Sequence, residues 1–178
     1  MLERLSEVAE QEWRPPSAGG VAVFCLAFAA IAWFAHTGGR WVPLLDSANL
    51  AFHEAGHPIF GLFSERLTVY GGTLGQLVFP LVAAGAFWWR REAASFAFSL
   101  GWVAENLWNI ARYMADARAH LLPLVGSGEH DWTEIFLRWN ALESDTSIAG
   151  STRLLGWLLL LGAAAWLVHR WRADADRD

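Results

Sequence analysis

The feature that most constrains this chain is a series of apolar runs long enough to cross a lipid bilayer. A helix needs roughly 20 consecutive apolar residues to cross the hydrocarbon core. The chain has 178 residues, of which 54% are hydrophobic and only 17% are charged, which is more apolar than an ordinary soluble domain. We therefore predict an all-α integral membrane protein with a single domain.

Five runs are predicted to be transmembrane helices. They cover residues 20–36, 46–63, 73–89, 93–115 and 154–169. Together they would form one helical membrane domain of residues 20–172, held in the lipid bilayer. A short connection between the second and third runs contains residues 67–70, which could form a brief extended strand.

Polar segments flank and interrupt these runs. Residues 1–19 form a polar, acidic segment, unlike the basic start of a signal peptide, so we expect the first span to be retained. Residues 117–151 form a polar loop before the last span, and residues 132–142 within it are predicted to be a short amphipathic helix. Residues 173–178 form an acidic tail.

Charge and cysteine content exclude several classes of function. The formal net charge is −5, so no basic surface is available to bind nucleic acid. Cys25 is the only cysteine, which excludes a disulfide framework and a cysteine-rich metal site. Every basic residue is Arg and none is Lys, a bias that is typical of proteins from GC-rich genomes. We expect the protein to lie in a bacterial inner membrane.

The strongest chemical motif is His53-Glu54-Ala55-Gly56-His57, within the second apolar run. On a helix, His-Glu-x-x-His places two imidazoles on one face, where both can bind a zinc ion. The intervening Glu54 is then placed to take a proton from a zinc-activated water. Ionisable groups inside an apolar segment are costly and normally mark a functional site.

Two other interpretations of these residues remain open. His53, Glu54 and His57 could be a hydrogen-bonded polar cluster that joins helices. A haem with two histidine ligands is less compatible, because two imidazoles on one helix face cannot approach a porphyrin from opposite sides. Such a haem would need His36, His130 or His169 as its second ligand.

A His-Glu-x-x-His motif inside a membrane helix resembles the site-2 protease group of intramembrane zinc metallopeptidases. In that group the next core helix carries small or amide residues and a proline at four-residue spacing, and this chain has Gly72, Gln76 and Pro80. The resemblance covers roughly residues 47–118. It implies that Gln76 helps to bind the backbone of a peptide substrate near the metal.

The resemblance also implies a third zinc ligand, an aspartate on a later core helix. Asp116, at the end of the fourth run, is the candidate, although it lacks the glycine that usually follows the aspartate of that group. The alternative is His130, in a polar loop that could fold back over the site. Asp131 would then orient His130 as a hydrogen-bonding partner.

A polar stripe also lies along the fourth run, on one helix face. Its members recur at three- to four-residue spacing: Glu105, Asn109, Arg112 and Asp116. Charged side chains that point into lipid are costly, so we expect the stripe to face the protein interior. It could support the metal site or form a structural network between helices.

Two functions from different classes follow. The first is a membrane-embedded zinc endopeptidase that cleaves a transmembrane or membrane-proximal peptide, with Glu54 as the general base. The second is a non-catalytic accessory subunit that packs against partner membrane subunits of a larger complex. Its many Trp and Phe side chains could then contact other helices, lipids or pigments. Only the first function requires Glu54. A transporter or a haem-binding electron carrier has less support, because no inverted repeat is evident.

Overall fold

The computed structural model describes residue 7, residues 10–125 and residues 129–176 of the chain. The remaining parts of the predicted polar N-terminal segment, polar loop and acidic tail lie outside these described residues. Within the described residues all regular secondary structure is helical, with an isolated bridge between Arg14 and Glu92 and no β-strand. The all-α prediction is therefore confirmed for the described chain.

Six α-helices follow one another along the described chain. They are α1 (Ala18–His36), α2 (Leu45–Gly61), α3 (Glu65–Trp89), α4 (Ala93–Ala115), α5 (Asp131–Arg138) and α6 (Asp145–Ala175). A short 3₁₀ turn, Leu142–Ser144, leads directly into α6. The predicted amphipathic helix of the polar loop corresponds to α5, which is shorter than expected.

In the part of the chain that the structure describes, three helical segments are long and apolar enough to cross a membrane, fewer than the five that we predicted. They are Ala18–His36, Glu65–Trp89 and Leu142–Ala175. The predicted second and fourth spans are helices, but α2 has only 17 residues and α4 carries the polar stripe. Both helices direct polar side chains into the protein, which lowers their apolar content.

The outer surface of these three segments is apolar. Large hydrophobic side chains that are more than half exposed lie on each of them: Val23, Leu26, Trp33, Phe79, Leu81, Val82, Leu154, Leu155, Leu158 and Leu161. A soluble monomer rarely exposes so extensive an apolar surface. The surface fits an integral membrane protein whose outer face contacts lipid.

Two helix starts differ from the sequence-based expectation. Residues 67–70 lie in the first turns of α3 and form no strand, because Ser64 caps the helix just before them. The Ser64 hydroxyl accepts a hydrogen bond from the backbone N–H of Leu67 at 3.2 Å, as N-cap residues do. The last long helix begins at Asp145 and not at residue 154.

Glycines on both helices allow α2 and α3 to pack closely against each other. A Cβ atom on Gly56 would collide with the backbone carbonyl of Gly71, and a Cβ atom on Gly75 would collide with that of Phe52. Small residues allow helix backbones to approach this closely in membranes. The side chains of α2 therefore lie directly against α3.

Two hydrophobic clusters hold the remaining helices. One joins α1, α4 and α6 through Phe24, Phe28, Trp108, Leu160 and Leu167. The other packs α5 against the end of α4 and the start of α6. The second cluster matters most for the site, because it holds α5 next to the face of α2 that carries His53 and His57.

Candidate metal centre

α2 places His53 and His57 one turn apart, so that both imidazoles lie on the same face of the helix. Their ring centroids are 4.9 Å apart. The Nδ1 atom of His57 donates a hydrogen bond to the backbone carbonyl oxygen of Thr68, at 2.8 Å. This bond places the proton of a neutral His57 imidazole on Nδ1, so that Nε2, the nitrogen nearer Asp131, is the atom that a metal ion could use.

Asp131 completes a three-residue group from a distant part of the chain. Its Oδ2 atom lies 2.9 Å from Nε2 of His53 and 3.4 Å from Nε2 of His57, although 78 positions separate Asp131 from His53. One ligand atom from each residue lies within 4.8 Å of the others. We call His53, His57 and Asp131 the candidate metal group.

The charge of Asp131 suits such a group. Burial alone would raise the pKa of its carboxyl group, but the hydrogen bonds with His53 and His57 outweigh burial and lower the pKa below its usual value. A lowered pKa keeps the carboxyl group ionised at neutral pH. An ionised carboxylate beside imidazole nitrogens is the form that binds a metal cation.

The position of Asp131 depends on α5, of which it is the first residue. Ile135 and Phe136 are fully buried and anchor this helix in the protein. The backbone N–H of Asp131 donates a hydrogen bond to the hydroxyl oxygen of Tyr113 at 3.2 Å. The ring of Tyr113 also lies edge-on to that of His53, with centroids 5.8 Å apart.

Asp116, one of the two predicted third ligands, lies outside the candidate metal group. Its carboxylate accepts hydrogen bonds from the backbone N–H groups of Leu121 and Leu122, at 2.8 and 3.0 Å. Asp116 follows the last residue of α4, so these bonds shape the turn by which the chain leaves that helix. Both carboxylate oxygens are engaged there.

His130, the other predicted third ligand, is the N-cap of α5. Its Nδ1 atom accepts a hydrogen bond from the backbone N–H of Thr133 at 3.3 Å, and its Nε2 atom lies 3.5 Å from Oδ2 of Asp116. Burial lowers the pKa of His130. The predicted loop does fold back over the site, but it presents Asp131 to α2. Asp131 contacts the two histidines of α2 and does not orient His130.

A cavity of about 640 Å³ opens beside the candidate metal group. Its lining includes the group itself together with Glu54, Gln76 and Tyr113. Glu54 therefore faces the same space as the two histidines that flank it. Gln76 is almost fully buried, at 3% exposure, so its amide belongs to the cavity wall and not to the outer surface.

The residues of α3 at four-residue spacing lie on the face that meets α2. Gly72, Gln76 and Pro80 are all buried. A Cβ atom on Gly72 would collide with the imidazole of His53. The four-residue spacing of Gly72, Gln76 and Pro80 therefore places these residues on one continuous face of α3, beside α2.

The polar stripe of α4 forms a hydrogen-bonded network with the first turns of α2. Asn49 donates to Oε2 of Glu105 at 2.7 Å and accepts from Nε1 of Trp102 at 3.0 Å. Asn109 donates to Oδ1 of Asp46 at 2.8 Å. Among the described residues, no hydrogen bond of this network reaches the candidate metal group, so the stripe joins two helices.

Sequence reasoning missed the direct contact of Asp131 with both histidines, and it assigned no role to Thr68 or Tyr113. The only signal for Asp131 was its place in a polar cluster within an otherwise apolar protein. No local pattern marks Thr68 or Tyr113, because each acts through a contact between helices.

Comparison of this chain with protein-family models, with curated proteins and with solved structures finds no match.

Proposed function

We propose that this protein is a membrane-embedded zinc metallopeptidase that cleaves membrane or membrane-proximal peptides. The observation that carries the proposal is the convergence of Asp131 on His53 and His57, beside a cavity that Glu54 also lines. These residues are far apart in sequence, and bringing them together inside the protein costs free energy, because buried ionisable groups lose their hydration. A function explains that cost better than helix packing does.

The donor set suits zinc. Catalytic zinc sites use three protein ligands from His, Asp, Glu or Cys and keep a fourth position open. His53, His57 and Asp131 would supply the three ligands, and the adjoining cavity would leave the fourth position accessible. The hydrogen bond from His57 to Thr68 is the kind of outer contact that orients a ligand histidine.

A bound zinc ion would supply a Lewis acid that lowers the pKa of a water molecule to about 7. Glu54 would take the proton of that water on its carboxylate and then give it to the leaving amine of the peptide. Gln76, with one amide donor group and one acceptor oxygen in the cavity wall, would bind the substrate backbone. These assignments agree with the resemblance to site-2 proteases, with Asp131 in place of Asp116 as the third ligand.

The first test is metal content. Purified wild-type protein should hold one zinc per chain by inductively coupled plasma mass spectrometry, and His53→Ala and Asp131→Asn should lose it. His169→Ala, which removes an exposed histidine near the end of α6, and Asp116→Asn should keep it. A wild-type protein without stoichiometric zinc, while folded, would refute the proposal.

The second test separates a peptidase from an accessory subunit. The protein is co-reconstituted with a set of single-span membrane peptides, and cleavage products are identified by mass spectrometry. Glu54→Gln should retain zinc but lose about 10²- to 10⁴-fold in cleavage rate, the usual contribution of a general base. Zinc in the wild type without cleavage of any peptide, or equal cleavage by the variant, would favour the accessory subunit.

A further inference from the structure

Contacts among the helix ends define two opposite ends of the bundle. At one end the backbone N–H of Arg14 donates to the carbonyl oxygen of Arg91 at 2.7 Å. Trp13 also packs against Trp166, with ring centroids 4.8 Å apart. The start of α1, the α3–α4 connection and the last turns of α6 therefore lie together, and we call this the terminal end.

A second set of contacts defines the opposite end. The Nη1 atom of Arg138 donates to the carbonyl oxygen of Arg66 at 3.0 Å, which joins the end of α5 to the start of α3. The Nη2 atom of Arg118 donates to Oδ1 of Asp145 at 2.7 Å, which joins the exit from α4 to the start of α6. We call this the site end.

Both connections that flank α2 lie at the site end. Before α2, the guanidinium of Arg112, in the last turn of α4, donates to the carbonyl oxygen of Arg40 and lies over the ring of Trp41 at 5.7 Å. After α2, Ser64 caps α3 at the turn that carries Arg66. α2 therefore begins and finishes on the same side of the bundle.

The middle of α2 nevertheless reaches far into the bundle. The ring of Phe52 stacks on that of Phe79, with centroids 3.8 Å apart. Phe79 is about 20 Å along α3 from Glu65, since an α-helix rises 1.5 Å per residue. α2 thus enters the apolar region without passing through it.

We propose that α2 is a re-entrant helix that enters and leaves the membrane on one face, so that the cavity opens on the side opposite the terminal end. α1, α3 and α6 each run between the terminal end and the site end. α4 does so too, because its start lies beside Arg14 and its exit is joined to the start of α6 through Arg118 and Asp145. The described residues then cross the membrane four times.

This arrangement indicates the side of the membrane from which a substrate would reach the site. The cavity lining includes Trp41 and residues 122–125, all in connections at the site end. A peptide would reach the site from the compartment on that side, as a membrane-proximal segment. This last statement rests on the proposed peptidase function, whereas the path of α2 does not.

Cysteine labelling tests the path of α2. Cys25→Ala provides a background without thiols, and single cysteines are then introduced at four exposed positions. Gly39→Cys and Glu65→Cys report the two flanks of α2, and Gln11→Cys and Ala173→Cys report the terminal end. A Cβ atom at position 39 meets nothing within 4 Å. A membrane-impermeant maleimide is applied to right-side-out and to inverted membrane vesicles.

Gly39→Cys and Glu65→Cys should both react in the same vesicle type, and Gln11→Cys and Ala173→Cys only in the other. Reaction of the two α2 flanks in opposite vesicle types would overturn the proposal, as would reaction of a flank in neither type. The readout does not involve zinc or cleavage. A finding that the protein holds no zinc would therefore refute the proposed peptidase function. The labelling result alone would still decide the path of α2.

Discussion

At the scale of single residues, Tyr113 contacts the backbone of Asp131 from a different helix. The Tyr113 hydroxyl accepts a hydrogen bond from the Asp131 backbone, and the Tyr113 ring contacts His53. One side chain of α4 therefore touches two members of the candidate metal group, which come from α2 and α5. Tyr113 is a positioning residue for that group.

Tyr113→Phe should lower the zinc affinity about tenfold, because outer contacts of metal ligands typically contribute 10- to 100-fold. The ring would remain in place, and only the acceptor for the Asp131 N–H would be lost. Competition with a chromophoric zinc chelator measures the affinity. Tyr70→Phe is the matched control, since Tyr70 accepts a hydrogen bond from Trp139 beyond the end of α5. Equal affinities for the two variants would contradict the role of Tyr113.

At the scale of helices, the contact of α2 with α3 controls the position of the histidines. Glycines line both sides of this contact, and Gly72 leaves the space that the imidazole of His53 occupies. A larger side chain at any of these positions must push the helices apart or displace the imidazole. The requirement is steric and does not depend on the flexibility of glycine.

Gly72→Ala should therefore weaken zinc binding and destabilise the protein by about 1–3 kcal/mol, the usual cost of overpacking. Gly85→Ala, on the same helix, provides the control, because a Cβ atom there meets nothing within 4 Å. That change should leave zinc binding unaltered and stabilise the helix by about 0.5–1 kcal/mol. Thermal unfolding in detergent and zinc titration measure both effects. A Gly72→Ala protein that matches Gly85→Ala would contradict the steric argument.

At the scale of the whole molecule, the candidate metal group links two parts of the fold. His53 and His57 belong to α2, which packs on α3, while Asp131 belongs to α5, which is held by the cluster at the end of α4. A metal ion bound there would join these parts and would bind only the folded chain. Binding to the folded state alone stabilises a protein by mass action.

Zinc should therefore raise the unfolding temperature of the metal-depleted wild type. At a free zinc concentration 100 times the dissociation constant, the stabilisation is about 2.7 kcal/mol. A thermal-shift series with increasing zinc measures it, and a chelator should reverse it. His53→Ala should show no such increase, and a similar increase in that variant would place the bound zinc elsewhere.

Much of the helical framework was predictable from the sequence, because apolar runs and helix caps are local signals. All five predicted spans overlap a helix, and α2 contains the His-Glu-x-x-His motif. The number of crossings was not predictable in the same way. A hydropathy profile does not show whether a helix with polar residues, such as α2, crosses the bilayer or enters and leaves it on the same face.

The sequence by itself determined that the chain is helical and apolar, and that His53, Glu54 and His57 share one region of a single helix. These properties depend on composition and on the periodicity of an α-helix. Only the tertiary structure decided that Asp131, rather than Asp116 or His130, meets the two histidines. The physical reason is that buried side chains of α5 fix its first residue over α2, while Asp116 and His130 are held by the backbone at the adjoining helix ends.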